Sequence, residues 1–215
     1  MKQIWIILIT TFLTMNLYSQ KNDNDTLSGK RLVKSPWAIK IESGALKHQM
    51  FNPDYIDNKT IQITDFTVFY KNFYLTYGAF IYEFKPNKIM VFDNTTVNTQ
   101  HEFSSFNLNM ALGYSYDFHK NWSTDIKIGF NITDFEILNS KETNLIYESD
   151  IITGAMIGLG VDRYFKLKRF NYIVIGLGID YYKTDYSKIS SEMKPTSLNY
   201  SLTIGYKGFF KKIID

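Results

Sequence analysis

The sequence predicts an all-β protein, an eight-stranded antiparallel up-and-down transmembrane β-barrel. Three observations lead there. Apolar residues recur with a period of two along most of the chain. The face opposite them is rich in glycine and small polar residues. Short polar turns alternate with long polar connections. A period of two marks strands, because successive side chains leave a strand on opposite faces.

The first residues stand apart from this pattern. Residues 1–19, "MKQIWIILITTFLTMNLYS", place Lys2 before an apolar run from Ile4 to Leu13 and close on the small Ser19. That is the layout of a secretory signal peptide, and the run is shorter than the roughly 20 apolar residues of a membrane-spanning helix. The ending "YSQ" resembles signal peptides of Bacteroidota. Residues 20–35 read as a polar periplasmic leader, 36–210 as the barrel and 211–215 as a short C-terminal tail.

Eight strands are expected, at about 36–46, 67–84, 88–97, 103–118, 122–137, 150–165, 170–183 and 197–210; residues 60–84 fit either one long strand or two, and "IMVFDNTTV" loses its alternation early. The clearest alternation sets Phe106, Leu108, Met110, Leu112, Tyr114, Tyr116 and Phe118 against Asn107, Asn109, Ala111, Gly113, Ser115 and Asp117. The next segment sets Trp122, Ile126, Ile128 and Phe130 against Ser123, Asp125, Lys127 and Gly129. The last sets Tyr200, Leu202, Ile204 and Tyr206 against Ser201, Thr203, Gly205 and Lys207. Tight turns are expected at 85–88, 119–121 and 166–169, and longer connections near 47–66, 97–103, 138–149 and 184–196. All 4 prolines fall outside the expected strand interiors, as a continuous hydrogen-bonded sheet requires.

An alternating sheet can enclose a dry core in water or turn its apolar face to lipid. A soluble barrel would carry long charged side chains on its second face. Here that face holds Gly113, Gly129, Gly154, Gly158, Gly160, Gly176, Gly178 and Gly205, which suits a narrow lumen. Strands of roughly 11–16 residues also exceed the soluble mode of about 5–6 and fit a tilted span. Trp37, Phe84, Phe118, Trp122, Phe165, Phe170 and Phe210 fall at the expected short-turn ends, where an aromatic girdle meets the lipid–water interface. The location this implies is the outer membrane.

On this pattern, residues 36–210 resemble the small outer-membrane β-barrel proteins of the OmpX/OmpW type and the outer-membrane barrel domain of Bacteroidota. The resemblance implies a rigid wall with short periplasmic turns and longer external loops. One departure stands out: such chains usually end on an aromatic residue, whereas Phe210 is followed by "KKIID".

By parity, the charges facing the lumen are Lys40, Glu42, Asp117, Asp125, Lys127, Asp162, Asp180 and Lys207. Buried charges are costly unless paired, so a salt-bridge network is expected, with Asp125 and Lys127 as neighbours on one face. The repeated phrases GLGVD (158–162) and GLGID (176–180) read as two arms of one hairpin, Gly158 across from Gly178 and Gly160 from Gly176. They lack the helix that a dinucleotide site needs.

Several chemistries are set aside. A net charge of +3 is too small to argue for nucleic acid, 0 cysteines exclude thiolate chemistry, and the 3 histidines lack metal-ligand spacing. No cofactor or metal is expected. His101, beside Glu102, Ser104 and Ser105, supplies the residue types of a lipid A deacylase or acyltransferase but not the deacylase family's His-x-Ser pattern.

The function expected is therefore non-enzymatic: a wall that anchors extracellular loops for envelope integrity, adhesion or partner binding. Tyr55, Tyr186, Lys188 and Lys194 are the loop residues expected to make contact. The expected partners are outer-membrane lipid and lipopolysaccharide, with an extracellular or periplasmic protein as a further expectation. Three other readings remain open. They are a membrane-embedded accessory of a secretion machine of the PorT type, a lipid A-modifying enzyme, and a secreted soluble barrel with an internal ligand.

Overall fold

A computed structural model describes residues 31–47, 60–92, 95–139, 145–184, 186, 190–191 and 193–214. Eleven strands follow one another: β1 (Arg31–Lys47), β2 (Thr60–Tyr70), β3 (Phe73–Phe84), β4 (Met90–Phe92), β5 (Thr95–Val97), β6 (His101–His119), β7 (Trp122–Asn139), β8 (Leu145–Glu148), β9 (Ile152–Lys168), β10 (Asn171–Thr184) and β11 (Thr196–Ile214). Eight of them form the wall, in the order β6-β3-β2-β1-β11-β10-β9-β7, and β6 pairs with β7 to close the ring. Each wall strand is antiparallel to its predecessor, the up-and-down topology the alternation predicts.

Two of the expected strands are placed differently. The stretch 67–84 is the end of β2 and all of β3, folded back at Lys71 and Asn72 so that Tyr70 faces Phe73. The stretch 88–97 is no wall strand but the two-stranded β4–β5 ribbon in the β3–β6 connection, which also contains the expected turn at 85–88. The number eight survives because the two displacements offset each other. The turn was hidden because it carries neither glycine nor proline; Lys71 adopts φ 55°, a conformation that glycine usually supplies. Phe84 therefore lies at the long-connection end, opposite Phe103, and not at the short-turn end.

The three tight turns, after β2, β6 and β9, share one end of the barrel. The connections β1–β2, β3–β6, β7–β9 and β10–β11 share the other. In outer-membrane barrels the short turns are periplasmic and the long loops extracellular. The faces sort as parity requires: Leu112, Leu177 and Ile204 are 65%, 60% and 61% exposed, while Asn107 and Asn199 on the opposite face are 1% and 0% exposed. A polar inside and an apolar outside invert the arrangement of a water-soluble barrel, so the exposed belt meets lipid.

Toward the extracellular end the inside changes character. Leu46, Ile63, Phe80, Tyr82, Phe103, Phe135 and Ile137 point inward from the wall and pack with Met90, Phe92 and Val97 of the ribbon and with Tyr186 and Met193. At this level the outside becomes charged. Glu83, Ser104, Glu136 and Glu148 lie in one cross-strand row, and Glu83 and Glu148 are exposed.

Candidate functional site

The lumen is built in layers, each set by which inward positions of neighbouring strands share a register row. The central layer is charged. Lys40 Nζ lies 2.8 Å from both Glu42 Oε2 and Asp162 Oδ2, and Glu42 also accepts a hydrogen bond from Thr203 Oγ1 at 3.1 Å. Lys127 Nζ is 2.9 Å from Asp180 Oδ1, and Tyr74 Oη donates to Asp125 Oδ1 at 2.7 Å. Lys40, Glu42, Asp162 and Asp180 are buried by the wall, where an unpaired charge is expensive, while Asp125 and Lys127 keep some exposure.

Glycines make these pairs geometrically available. Lys127, Gly158 and Asp180 occupy one row on β7, β9 and β10, so Lys127 reaches its partner across a strand with no side chain in the way. A Cβ at Gly158 would collide with Asp180 Oδ1 and with the stem of Lys127, and one at Gly160 with the Asp125 carboxylate. Asp162 faces Gly176 and Asp180 faces Gly158, so each acid of the repeated phrase lies opposite a glycine of the other arm. Gly160 pairs with Gly178, two residues from the expected register. The turn is centred one residue later than Lys168, and the register shifts at Asn171/Tyr172.

Above the charges lies a layer of amides and hydroxyls. Asn109 Nδ2 donates to Tyr182 Oη at 2.8 Å. Thr133 Oγ1 donates to Asn107 Oδ1 at 2.8 Å, and Asn131 Nδ2 to Thr133 Oγ1 at 3.1 Å. Over this sits the apolar cap, where Phe135 contacts Phe103 and Tyr186 with ring centroids 5.2 and 5.6 Å away. Burial pushes the Tyr186 phenol upward, against hydrogen bonds to Thr133, Thr184 and Asn131.

Below the charges the lumen opens toward the short-turn end. A cavity of about 400 Å³ there is lined by Lys34, Lys71, Lys207, Phe69, Phe209 and Asp117, among others. It adjoins a smaller one that takes in His119, Lys120, Tyr164 and Tyr172.

Of the eight charges assigned inward, Lys40, Glu42, Asp162, Asp180 and Lys207 are buried, Asp125 and Lys127 are half-buried, and Asp117 is exposed at the lower mouth. Asp125 and Lys127 do not pair with each other; each finds a partner on another strand. The inward residues singled out were charges on expected strands, which left out Asp65, a lining residue of the charged layer that lay in an expected loop, and the inward phenols Tyr74, Tyr164 and Tyr182. Their parity on the strands was the available signal.

Trp37, Phe118, Trp122, Phe165 and Phe210 are exposed near the short-turn end and Phe170 is half-buried. Arg163 lies over Trp122 and Phe165, its guanidinium carbon 4.8 and 5.6 Å from the ring centroids. Among the residues expected at the loop surface, Lys194 is exposed, whereas Tyr186 is 3% exposed and belongs to the cap. Tyr55 and Lys188 lie outside the described residues. His101 Nδ1 accepts a hydrogen bond from the Asn98 amide at 2.9 Å, Glu102 pairs with Lys85 at 3.0 Å, and Ser105 Oγ accepts from Asn107. These bonds direct His101, Glu102 and Ser105 to separate partners.

A closed antiparallel barrel with eight wall strands, a polar lumen and a lipid-facing belt is the outer-membrane architecture. The chain has the fold of the small outer-membrane β-barrels. No protein-family model matches it, and no curated protein is similar to it in sequence. Solved barrels are similar in structure. Neisserial surface protein A superposes with a TM-score of 0.52 at 10% identity, over 83% of this chain and 99% of that one. Ail of Yersinia pestis, solved in complex with the heparin analogue sucrose octasulfate, gives 0.50 at 12% identity over 80% and 97%. OprG of Pseudomonas aeruginosa gives 0.50 at 11% identity over 82% and 97%. At such identities the likeness is one of fold.

Proposed function

We propose that this outer-membrane barrel is a plugged scaffold that works by contact, presenting a preformed extracellular cap to a protein partner. The observation that carries this reading is the cap itself. Parts of two connections, the β4–β5 ribbon and Tyr186 with Met193, are packed into the wall as one apolar cluster. A preformed cap loses little entropy on binding, which favours affinity. Its outer side suits a protein: Ile89, Val91, Leu145, Ile146 and Ile151 are all exposed among the described residues, Ile89 at 66% and Ile151 at 72%. Apolar side chains gathered beyond the lipid are characteristic of interaction sites.

The lumen argues for scaffold over channel, because the charged pairs, the amide layer and the cap fill the bore in succession. The lipid A-modifying alternative finds His101, Glu102 and Ser105 each bonded elsewhere. The secretion-accessory alternative is a special case of the protein-contact reading and shares its test.

The test uses the intact barrel with Val91→Lys, Ile146→Lys or both, expressed in a strain lacking the native protein. Mild crosslinking and affinity purification should recover a specific partner with the unaltered barrel and lose it with the double variant, while heat-modifiable migration shows both variants folded. Equal recovery with the double variant would remove the cap from the interaction.

A further inference from the structure

Lys207 is a buried cation without an ion pair among the described residues. Its residue is 6% exposed, its ammonium donates one hydrogen bond, to Tyr164 Oη at 3.1 Å, and it otherwise meets ring faces. Phe69 lies 3.9 Å away and Phe209 5.6 Å, measured to the ring centroids. An ammonium has three N–H donors, so two remain without a hydrogen-bonded acceptor among the described residues. A second ammonium, that of Lys34, sits 3.5 Å from the centroid of the same Phe209 ring. Lys207 is buried whereas Lys34 is exposed; the two like charges sharing one ring repel, and ring quadrupoles only partly offset the loss of water around Lys207.

Both lysines line the 400 Å³ cavity at the short-turn end, together with Lys71, and the one carboxylate among its described lining residues is Asp117. The lining contains no arginine fork. Lysines act as movable point charges, a set suited to a compact oxyanion with negative charge on several oxygens.

We propose that this lower vestibule is an oxyanion-binding site, taking a phosphate or carboxylate group from the periplasmic side between Lys207 and Lys34. The ligand would supply the acceptors that the Lys207 ammonium lacks and would cancel its repulsion with Lys34. Pro36, Phe69 and Phe209 offer an apolar wall for the rest of the molecule that bears the oxyanion. The same chemistry is available from a soluble periplasmic phosphate or from a phospholipid headgroup of the inner leaflet.

The test is a titration of the folded, isotope-labelled full-length barrel in zwitterionic nanodiscs with inorganic phosphate, followed at the amides of Tyr164 and Phe209. Saturable shifts are expected, with a dissociation constant on the order of 1 mM or tighter. Lys207→Met should weaken binding roughly tenfold or more, whereas Lys183→Gln, on the outer face at the other end, should leave it unchanged. Should Lys207→Met fail to fold, Lys34→Gln carries the test, again with a clear loss expected. Nanodiscs of anionic phospholipid without added phosphate separate the sources. Shifts at the same amides there assign the oxyanion to a lipid headgroup, and shifts with phosphate alone assign it to a soluble ligand. No saturable change under either condition, or binding unaltered in both lysine variants, overturns the proposal.

Discussion

Gly158 shows how much of the lumen depends on a missing side chain. Lys127 and Asp180 meet across it, so Gly158→Val should break the pair without touching either charged residue. The expected cost is about 3–5 kcal/mol, the penalty for leaving buried charges unpaired, read from urea unfolding in lipid vesicles. A second prediction separates pairing from charge. Asp180→Asn should cost a similar amount, but Asp180→Asn combined with Lys127→Met should recover most of it, because the double variant strands no charge. The inward direction of these residues was legible from parity alone. Their partners were not. Asp125 and Lys127 share a face, yet residues two apart on a strand lie roughly 6–7 Å apart with side chains nearly parallel. A strand two places along the wall offers a better approach, and that depends on register, which one residue in a turn can change.

The hairpins show the same division. Long alternating stretches such as β6, β7 and β11 were legible because lipid and lumen impose opposite demands on successive residues. The β2–β3 turn was less legible, because Lys71-Asn72 carries neither glycine nor proline and the aromatic pattern continues on both sides of it. Lys71 stands in the left-handed region at a cost of roughly 1 kcal/mol relative to glycine. Lys71→Gly should therefore raise unfolding stability by up to about 1 kcal/mol and speed hairpin closure, measured by folding into vesicles. The β4–β5 ribbon misled for the reverse reason: "IMVF" has a strand's composition but packs into the cap. Phe135→Ala, which removes the ring between Phe103 and Tyr186, should cost the cap about 3–5 kcal/mol. Hydrogen exchange should then quicken in β4 and β5 and stay slow in the mid-strand amides of β9 and β10.

At the scale of the whole molecule, the filled bore bears on conduction. The barrel should show no stepwise conductance in planar bilayers, since the charged layer, the amide layer and the cap each obstruct the bore. Removing the β4–β5 ribbon alone should leave that result unchanged, because the lower two layers remain. Regular channel openings from the intact barrel would refute the plugged reading. The architecture was legible at this scale because eight spans, their length and their glycine-lined face are repeated along the chain. The cap and the vestibule were not, since each is assembled from short pieces of distant segments.

The row of Glu83, Ser104, Glu136 and Glu148 has a consequence for how the protein rests in its surroundings. Carboxylates on the outer wall do not enter hydrocarbon, and the aromatic rings near the short turns do not leave the opposite interface readily. Together they act as a gauge of bilayer thickness. A thicker membrane would have to thin locally or tilt the barrel before it could climb past the acids, so hydrophobic mismatch would be borne by the lipid and not by the cap.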